Sequence, residues 1–338
     1  MSYQSGRHFL QLPGPTNTPE RVLRAMSKPT IDHRGPEFEA LAHRLLADVR
    51  WICGTTDDVF IYPASGSGAW EATIVNTLSS GDMVVAFEQG FFAQSWARVA
   101  VSFGLDVRLQ SWDGRQGVTP DAVMKLLSDD GDHAIKAVMI VHNETSTGVT
   151  TNIQAIAAAM KASGHPALLF IDAVSSLAVT DLRHDEWGLD VTVSGSQKGL
   201  TLPPGLAVMA VGPRAIAAHE SATLPRSYWD WDDQRAANAK GAFPYTPATN
   251  LLYGLEEAFA MLREEGMDNV FARHRRFGSA VRAAVATWGF GTVSTVASEA
   301  SQAATAVIMP DGYDADALRG LILERFDMSL GTGLGEWK

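Results

Sequence analysis

Short apolar runs alternate with helix-length amphipathic stretches along the chain from Asp58 to Gly212. This alternation is typical of βα units, which build a mostly parallel sheet covered by helices. The predicted strands are VFIYP, MVVAF, DVRL, KAVMIVH, ALLFID, DVTVS and LAVMAVG. Apolar positions three and four residues apart predict helices over 67–79, 92–104, 119–128 and 152–163. The pattern therefore predicts a doubly wound α/β domain.

The alternation stops after Gly212. A short helix and the aromatic segment SYWDWDD come next, followed by the proline-rich stretch from Pro244 to Pro247. A long helical region is predicted from about Thr249 to Trp288, then two apolar strands, TVSTV and ATAVIM, and a helix at about 314–325. These elements indicate a smaller α+β unit attached through a linking helix.

The change of pattern divides the chain into two predicted domains. Residues 12–248 form the large domain, with an N-terminal arm at 1–20 folding over it, and residues 249–338 form the small domain. A chain of 338 residues with 46% hydrophobic content can bury a large core, so both units are compatible with an ordinary globular protein.

The charge and the cysteine content exclude several classes of protein. A net charge of -11 is spread without an acidic block, and no Lys/Arg stripe occurs, so we expect neither a nucleic acid nor a membrane partner. The sequence shows no signal-peptide pattern and no apolar run long enough to span a bilayer. Cys53 is the single cysteine, which excludes an internal disulfide and a cysteine metal cluster. We therefore expect a cytoplasmic protein without a bound metal.

A glycine- and serine-rich turn follows the first predicted strand, in the segment ASGSGAWEATIVNTL. Ser65, Gly66 and Ser67 stand where this strand gives way to a helix, so their N–H groups and hydroxyls can bind a phosphate at the helix N-terminus. The same residue types also make an ordinary tight turn with an N-cap. The motif alone leaves both interpretations open.

A carboxylate and a lysine follow two later strands. Asp172 ends the apolar run ALLFID, where open α/β sheets place ligand sites, although a helix or loop cap is the competing interpretation. Lys198 lies in the Gly/Ser-rich loop after DVTVS, where a solvated surface lysine is the competing interpretation.

The three features are more informative together, because all of them are expected at the same edge of one parallel sheet. Pyridoxal 5'-phosphate requires an anion-binding turn, a carboxylate for its pyridine nitrogen and a lysine that forms a Schiff base. The combination therefore predicts pyridoxal phosphate as the cofactor.

Further motifs make the chain resemble the class V aminotransferases, specifically the serine-glyoxylate and alanine-glyoxylate (aspartate-glyoxylate) group, over nearly its whole length. These motifs are PGPTNTPERV, IDHR, SGSGAWEA, HNETSTGV, FIDAVSS, SGSQKGLTLPPGLA, LPRSYWDW and FPYTPATNLLYGL. The resemblance implies a fold-type I enzyme whose large domain contains a mostly parallel seven-stranded sheet.

The resemblance also implies roles for individual residues. Lys198 would carry the cofactor and move the proton of the reaction, and Asp172 would bond the pyridine nitrogen. Gln197 would hold the phosphate together with the turn at 65–67. Phe92 would stack on the cofactor ring, unless it is a core phenylalanine, and Thr145 would contact the ring oxygen, unless it is a turn threonine.

Family members are dimers in which the neighbouring subunit completes the active site. The PYTPAT segment is similar to the stretch that reaches across, so Thr246 and then Tyr245 are the candidates for a phosphate contact from the partner subunit. Phe243 stands where some relatives have a tyrosine. We expect a homodimer, or a dimer of dimers.

The resemblance also implies candidate substrate residues. Thr16 and Asn17 resemble a loop that approaches the substrate carboxylate, and turn chemistry explains them equally well. The family's carboxylate-binding arginine belongs to a segment that would follow the last residues of this sequence, so we expect an incomplete small domain. Arg34 is a candidate replacement, with a structural ion pair as its alternative. The aromatic residues 228, 229 and 231 either line the substrate entrance or pack internally.

The leading hypothesis is a transaminase that moves the amino group of a small L-amino acid onto glyoxylate to give glycine and a 2-oxo acid, with serine as the leading donor. Aspartate and alanine are alternative donors. Cysteine desulfuration, another activity of this fold, needs a late cysteine, and none follows Cys53. A cofactor-binding chain without turnover is the third hypothesis.

Overall fold

A computed structural model describes residues 8–338 of the chain. In chain order its strands are β1 Phe9–Gln11, β2 Asp58–Tyr62, β3 Met83–Phe87, β4 Asp106–Gln110, β5 Ile135–Val141, β6 Asn143–Glu144, β7 Val149–Thr150, β8 Leu168–Asp172, β9 Val191–Gly195, β10 Ala207–Val211, β11 Gly291–Thr292, β12 Val307–Ile308 and β13 Met328–Leu330. Its α-helices are α1 Glu20–Met26, α2 Pro36–Cys53, α3 Gly66–Thr77, α4 Phe91–Ser102, α5 Pro120–Ser128, α6 Ile153–Ser163, α7 His184–Trp187, α8 Pro213–His219, α9 Trp231–Asn238, α10 Thr249–Glu265, α11 Met267–Thr287 and α12 Ala315–Phe326.

A seven-stranded sheet forms the centre of the molecule, in the order β2-β10-β9-β8-β5-β3-β4. Strand β10 pairs antiparallel with both of its neighbours, and the other pairings are parallel. This architecture confirms the predicted α/β fold with a mostly parallel seven-stranded sheet. Because parallel strands end at the same edge, the loops after β5, β8 and β9 lie close together.

Both faces of the sheet are buried, which explains why its strands are almost continuously apolar. Successive side chains of a strand point to opposite faces. One face packs against helices α2, α5, α6 and α10, and its strand residues include Ile61, Phe87, Ile140 and Ile171. The other face packs against α3, α4 and α8, and its strand residues include Phe60, Ala86, Met139 and Phe170. Helices α3 and α4, in this second layer, both begin at the edge where the parallel strands end.

The C-terminal part differs from the prediction in detail. The predicted long helical stretch is two helices, α10 and α11, because Gly266 between them adopts a φ of 79°, which is left-handed and ends the first helix. The two predicted strands shorten to the two-residue pair β11 and β12, which run antiparallel. The N-terminal strand β1 pairs in parallel with β13.

None of the helices described within residues 8–338 combines the length and the apolar character needed to cross a membrane. The first seven residues of the predicted N-terminal arm lie outside the described residues.

Candidate active site

The carboxylate of Asp172 lies at the end of β8, where the central strand leaves the sheet. Its side chain is 3% exposed. One carboxylate oxygen, Oδ1, accepts a hydrogen bond from the backbone N–H of Val174 at 2.7 Å, and Oδ2 accepts one from Trp70 Nε1 at 2.9 Å. Burial, with the nearby negative charge of Glu144, raises the pKa of Asp172 to about 7, although the hydrogen bonds from Val174 and Trp70 and the charge of Lys198 lower it. A cationic partner at this position would lower the pKa again and keep the carboxylate charged.

Lys198 follows β9 and enters the same region. Its Nζ donates a hydrogen bond to the carbonyl oxygen of Pro13. Burial lowers the pKa of Lys198, whereas the negative charges of Asp172 and Glu144 raise it. A Cβ on Gly14 would come within 2.5 Å of Lys198 Nζ, so only glycine leaves room for the amine beside the N-terminal segment. The lysine is therefore held in a crowded, partly desolvated position, as a reactive amine requires.

The first turn of α3 has the free donors that an anion site needs. Ser65 occupies the N-cap, but its side chain makes no capping hydrogen bond. Within residues 8–338, the N–H groups of Gly66 and Ser67 have no acceptor, while those of Gly68 and Ala69 bond the carbonyl oxygen of Ser65. The exposed side chains at 65 and 67 leave the approach open. This turn fits a phosphate group, which takes free N–H donors at a helix N-terminus.

Gln197 and Gly66 add two observations about the loops of the site. The side-chain oxygen Oε1 of Gln197 is buried without a hydrogen-bond partner among the residues described. A Cβ on Gly66 would collide with Cγ2 of Val174, so glycine allows α3 to start directly against the loop that follows Asp172. The lysine, the carboxylate and the open helix end are thus brought together by the three loops that the sequence predicted.

Phe92 lies in the first turn of α4, and the structure fixes this turn through a residue that the sequence analysis missed. Glu144 is fully buried, and its Oε2 accepts hydrogen bonds from the N–H groups of Phe92 and Ala93, both at 3.1 Å. Its Oε1 accepts from the N–H of Ser146 at 3.0 Å and from the hydroxyl of Ser146 at 2.8 Å. Burial raises the pKa of Glu144, although all four hydrogen bonds lower it.

Thr145 is buried, and its Oγ1 lies 2.5 Å from Oγ of Ser175. Ser175 follows Asp172 by three positions, so the hydroxyl pair stands beside the carboxylate loop. Neither Ser175 nor Trp70 was among the predicted residues. A buried hydroxyl next to a strand-end carboxylate, and a tryptophan one turn into the helix of the anion turn, are the signals that point to them.

The N-terminal segment lies over the lysine loop. The N–H of Thr16 donates to the carbonyl oxygen of Gln197 at 3.1 Å, and Asn17 Nδ2 donates to the carbonyl oxygen of Leu10 at 2.9 Å. Thr16 is thus beside Lys198, while the Asn17 amide stabilises the segment itself. Arg34 is exposed, and its guanidinium makes no ion pair within residues 8–338, so the structure does not contain the structural ion pair offered as its alternative.

Within residues 8–338, the segment 245–246 makes no hydrogen bond to the lysine, the carboxylate or the α3 turn. Thr246 is exposed, and Tyr245 stacks on Tyr228 with ring centroids 4.3 Å apart. Of the aromatic cluster, Trp231 is fully buried against Phe60, with centroids 5.7 Å apart, and serves packing. Trp229 stands at the site, because a Cβ on Gly68 of the anion turn would lie 3.0 Å from its ring.

Known proteins are similar to this chain over nearly its whole length. The family model for class V aminotransferases matches residues 8–333. The serine–glyoxylate aminotransferase of Methylorubrum extorquens is 45% identical over 98% of this chain and 84% of its own. The L-aspartate–glyoxylate aminotransferase of Paracoccus denitrificans is 44% identical over 96% of this chain and 82% of its own. A crystal structure of an alanine–glyoxylate aminotransferase from Nostoc sp. matches 99% of this chain and 88% of its own, with 28% identity and a TM-score of 0.91.

The residues described above fit the cofactor of that family. The free N–H groups of α3 suit its phosphate, the buried carboxylate of Asp172 suits its pyridinium nitrogen, and Lys198 carries the amine. The family model matches nearly the whole chain. The chain therefore belongs to the class V aminotransferases and is a pyridoxal-phosphate-dependent enzyme of fold type I.

Proposed function

We propose that the enzyme transfers the amino group of L-serine to glyoxylate, giving glycine and a 2-oxo acid. The observation that carries the activity is the convergence of Lys198, Asp172 and the open N-terminus of α3 at one edge of the sheet. The choice of substrates is supported by the serine–glyoxylate aminotransferase that shares 45% of its residues with this chain.

Each residue of the site has a task in such a reaction. When bound, the cofactor supplies an electron sink for the charge that develops at the substrate Cα. The N–H groups of Gly66 and Ser67, with the hydroxyls of residues 65 and 67 and the amide of Gln197, bind its phosphate. Asp172 holds the proton on the pyridine nitrogen. Lys198 Nζ would take the proton from the substrate Cα and deliver it to the C4′ atom of the cofactor, and burial favours the neutral amine that this step needs.

The remaining predicted residues complete the proposal. Phe92 presents its ring to the cofactor from a turn anchored by Glu144, and Thr145 offers a hydroxyl to the ring oxygen. Thr246 and Tyr245 reach the phosphate of the partner subunit in a homodimer or a dimer of dimers. This role agrees with the exposure of Thr246 and with the lack of a hydrogen bond from either residue to the site of its own subunit.

We also propose which residues contact the substrate carboxylate, where the two domains meet and in which compartment the enzyme works. Thr16, Asn17 and Arg34 are the candidate carboxylate contacts, and Thr16 is supported by its bond to the lysine loop. Residues 12–248 and 249–338 are proposed as the two domains. A cytoplasmic location suits a chain whose one cysteine, Cys53, is buried and free.

Aspartate and alanine are alternative donors, each favoured by one match. The Paracoccus denitrificans relative is named for aspartate and the Nostoc structure for alanine. Both donors share the α-carboxylate and α-amino group with serine, so the parts of the site described above would bind them equally. The side-chain pocket decides between them.

The test follows the visible absorbance of the purified enzyme loaded with pyridoxal phosphate. L-Serine, L-aspartate and L-alanine are added separately, glyoxylate is added next, and glycine is quantified. We expect the band to bleach most rapidly with L-serine and to return with glyoxylate, and the Lys198→Ala variant to show no exchange. Faster bleaching with aspartate or alanine would replace the donor, and a stable band with all three would support a cofactor-binding chain without turnover.

A further inference from the structure

The indole of Trp70 makes the one side-chain hydrogen bond that Asp172 accepts within residues 8–338. Trp70 lies in α3 and is 3% exposed, and its Nε1 is 2.9 Å from Asp172 Oδ2. The other oxygen, Oδ1, accepts from the backbone N–H of Val174. Because both oxygens are occupied by donors from different elements, the plane of the carboxylate cannot rotate without breaking one of these bonds.

Charges around this carboxylate make the indole bond important. Burial and the negative charge of Glu144 favour a protonated Asp172, and the positive charge of Lys198 favours the ionised form. A protonated carboxyl group would lose the negative charge that a pyridinium nitrogen needs. Hydrogen-bond donors directed at the carboxylate oxygens favour the charged form of Asp172 and so offset the effect of burial on its pKa.

We propose that Trp70 is a positioning residue for Asp172: its N–H fixes the orientation of the carboxylate and favours its charged form. The inference rests on the role proposed above for Asp172. Trp70 does not need to touch the cofactor or the substrate to have this effect.

The position of Trp70 along α3 gives it a second consequence. Gly66, the first residue of the helix, presents a free N–H at the anion turn, and Trp70 follows one turn later. A single rigid helix thus sets both the phosphate position and the orientation of the carboxylate at the nitrogen. Because Asp172 itself ends β8, the hydrogen bond from Trp70 links this strand end directly to the helix that carries the anion turn.

The indole itself is held by a neighbouring ring. Trp70 stacks on Trp96 of α4 with centroids 5.8 Å apart and an interplanar angle of 14°. Trp96 is also buried, but its Nε1 has no hydrogen-bond partner among the residues described. The pair therefore provides a matched control, since Trp→Phe removes a bonded N–H at 70 and an unbonded N–H at 96.

The first measurement uses the cofactor-free protein. The infrared carboxyl band of Asp172 is identified by subtraction of the Asp172→Asn spectrum and is followed as a function of pH. We expect Trp70→Phe to raise the pKa of Asp172, because a bond to the charged form is lost, and Trp96→Phe to leave it in place. An unchanged pKa in Trp70→Phe would overturn the inference.

The second measurement uses the holoenzyme. We expect Trp70→Phe to bind pyridoxal phosphate roughly 10- to 100-fold more weakly, as for a lost hydrogen bond to a charged group, and to change the circular dichroism of the cofactor band. In the Asp172→Asn background, Trp70→Phe should add little, because it acts through Asp172. A full additional loss in that background would assign Trp70 a general packing role instead.

Two controls separate the possible failures. If Asp172→Asn itself leaves cofactor affinity and transamination unchanged, the role proposed for Asp172 is wrong. If Asp172→Asn is impaired while Trp70→Phe matches Trp96→Phe, only the inference about Trp70 is wrong. Should Trp70→Phe not fold, benzothienylalanine at position 70 replaces the N–H by sulfur within a ring of the same shape and is expected to give the same pKa change.

Discussion

Helices α3 and α4 begin at the same edge of the sheet, but their N-termini are used in opposite ways. At α3 the Ser65 side chain does not cap the helix, and the N–H groups of Gly66 and Ser67 are free within the described chain. At α4 the first N–H, of Phe91, bonds the hydroxyl of Ser146, and those of Phe92 and Ala93 bond the buried carboxylate of Glu144. A helix N-terminus attracts an anion in both cases. The protein supplies the anion at α4 and leaves α3 to an anion from outside.

The difference separates scaffold from binding site. The carboxylate at α4 fixes the turn that carries Phe92, and Gly90 before it has no room for a side chain, because a Cβ would come within 2.7 Å of Glu144 Cγ. The open donors at α3 are available only because no local side chain satisfies them. Substitutions can place an anion at the open N-terminus of α3 or remove the carboxylate from the closed N-terminus of α4.

Ser65→Asp should produce the largest change. A carboxylate at the N-cap satisfies the free N–H groups and repels a phosphate by about 4 kcal/mol at a separation of about 4 Å and an effective dielectric of about 20, which weakens cofactor binding roughly 1,000-fold. The same change should stabilise the cofactor-free protein by about 1 kcal/mol, as good caps do. Fluorescence titration with pyridoxal phosphate and urea unfolding measure the two effects.

Ser65→Asn is the matched control, since it caps without charge. Its affinity for the cofactor should fall much less than that of Ser65→Asp. Equal losses in the two variants would show that charge at the α3 terminus is not what binds the phosphate.

Glu144→Ala should come next, because it empties the closed end. The variant leaves the buried N–H groups of Phe92 and Ala93 without an acceptor, and we expect the free energy of unfolding of the cofactor-free protein to fall by about 3 kcal/mol. Ser146→Ala is the control: it removes a hydroxyl that bonds Glu144 and the N–H of Phe91, and about 1 kcal/mol is expected. Urea unfolding of both variants checks the order, and a smaller loss in Glu144→Ala than in Ser146→Ala would contradict it.

Gly66→Ala should have an intermediate effect at the open end. The new Cβ meets Cγ2 of Val174, and overpacking of this kind costs about 2 kcal/mol, which corresponds to roughly 30-fold weaker cofactor binding if the strain moves the anion turn. Gly66→Ala combined with Val174→Ala restores the space and should recover most of the affinity. Failure of the double variant to recover would assign the loss to something other than this contact.

Glu144→Gln should give the smallest change, because its amide oxygen still accepts from the N–H groups of α4, and what it loses is the acceptor for Ser146 and the charge that acts on Asp172. Without this like charge the pKa of Asp172 should fall below its value of about 7. The pKa of Asp172 in the folded protein lies above the ordinary value of 3.8. Asp172 therefore makes the free energy of unfolding decrease as the pH rises from about 3.8 to about 7. In Glu144→Gln this interval should end at a lower pH.

The infrared carboxyl band of cofactor-free protein, with Asp172→Asn as the reference, measures the shift in Glu144→Gln directly. A higher or unchanged pKa in this variant would show that Glu144 does not act on Asp172 through its charge.

The comparison of the two helices also shows how far the sequence determines the site. The strands that carry Asp172 and Lys198 are continuous apolar runs next to polar loops, so their positions could be predicted. Glu144 acts on the N–H of Phe92, 52 residues away in the sequence, and Trp70 bonds Asp172 across 102 residues. The position of Trp70 one turn into the anion helix marks it as a candidate, but the partners in both contacts depend on how the helices pack on the sheet, which no local pattern encodes.

The C-terminal part was harder to predict for a different reason. The helical periodicity continues on both sides of Gly266, and a single glycine is tolerated within helices, so the break between α10 and α11 left no clear signal. Short strands such as β11 and β12 have two residues each, too few to define their ends from alternation alone.

The pairing of β1 with β13 has a consequence for the order in which the molecule assembles. His8 and Asp327, bonded beside this pair, are 319 residues apart in sequence, so closing the contact costs more chain entropy than any neighbouring βα unit. The segment that follows β1 places the Pro13 carbonyl on Lys198. We therefore expect the cover over the reactive amine to form after the sheet that holds the amine, so that the site stays open to solvent until these distant segments meet.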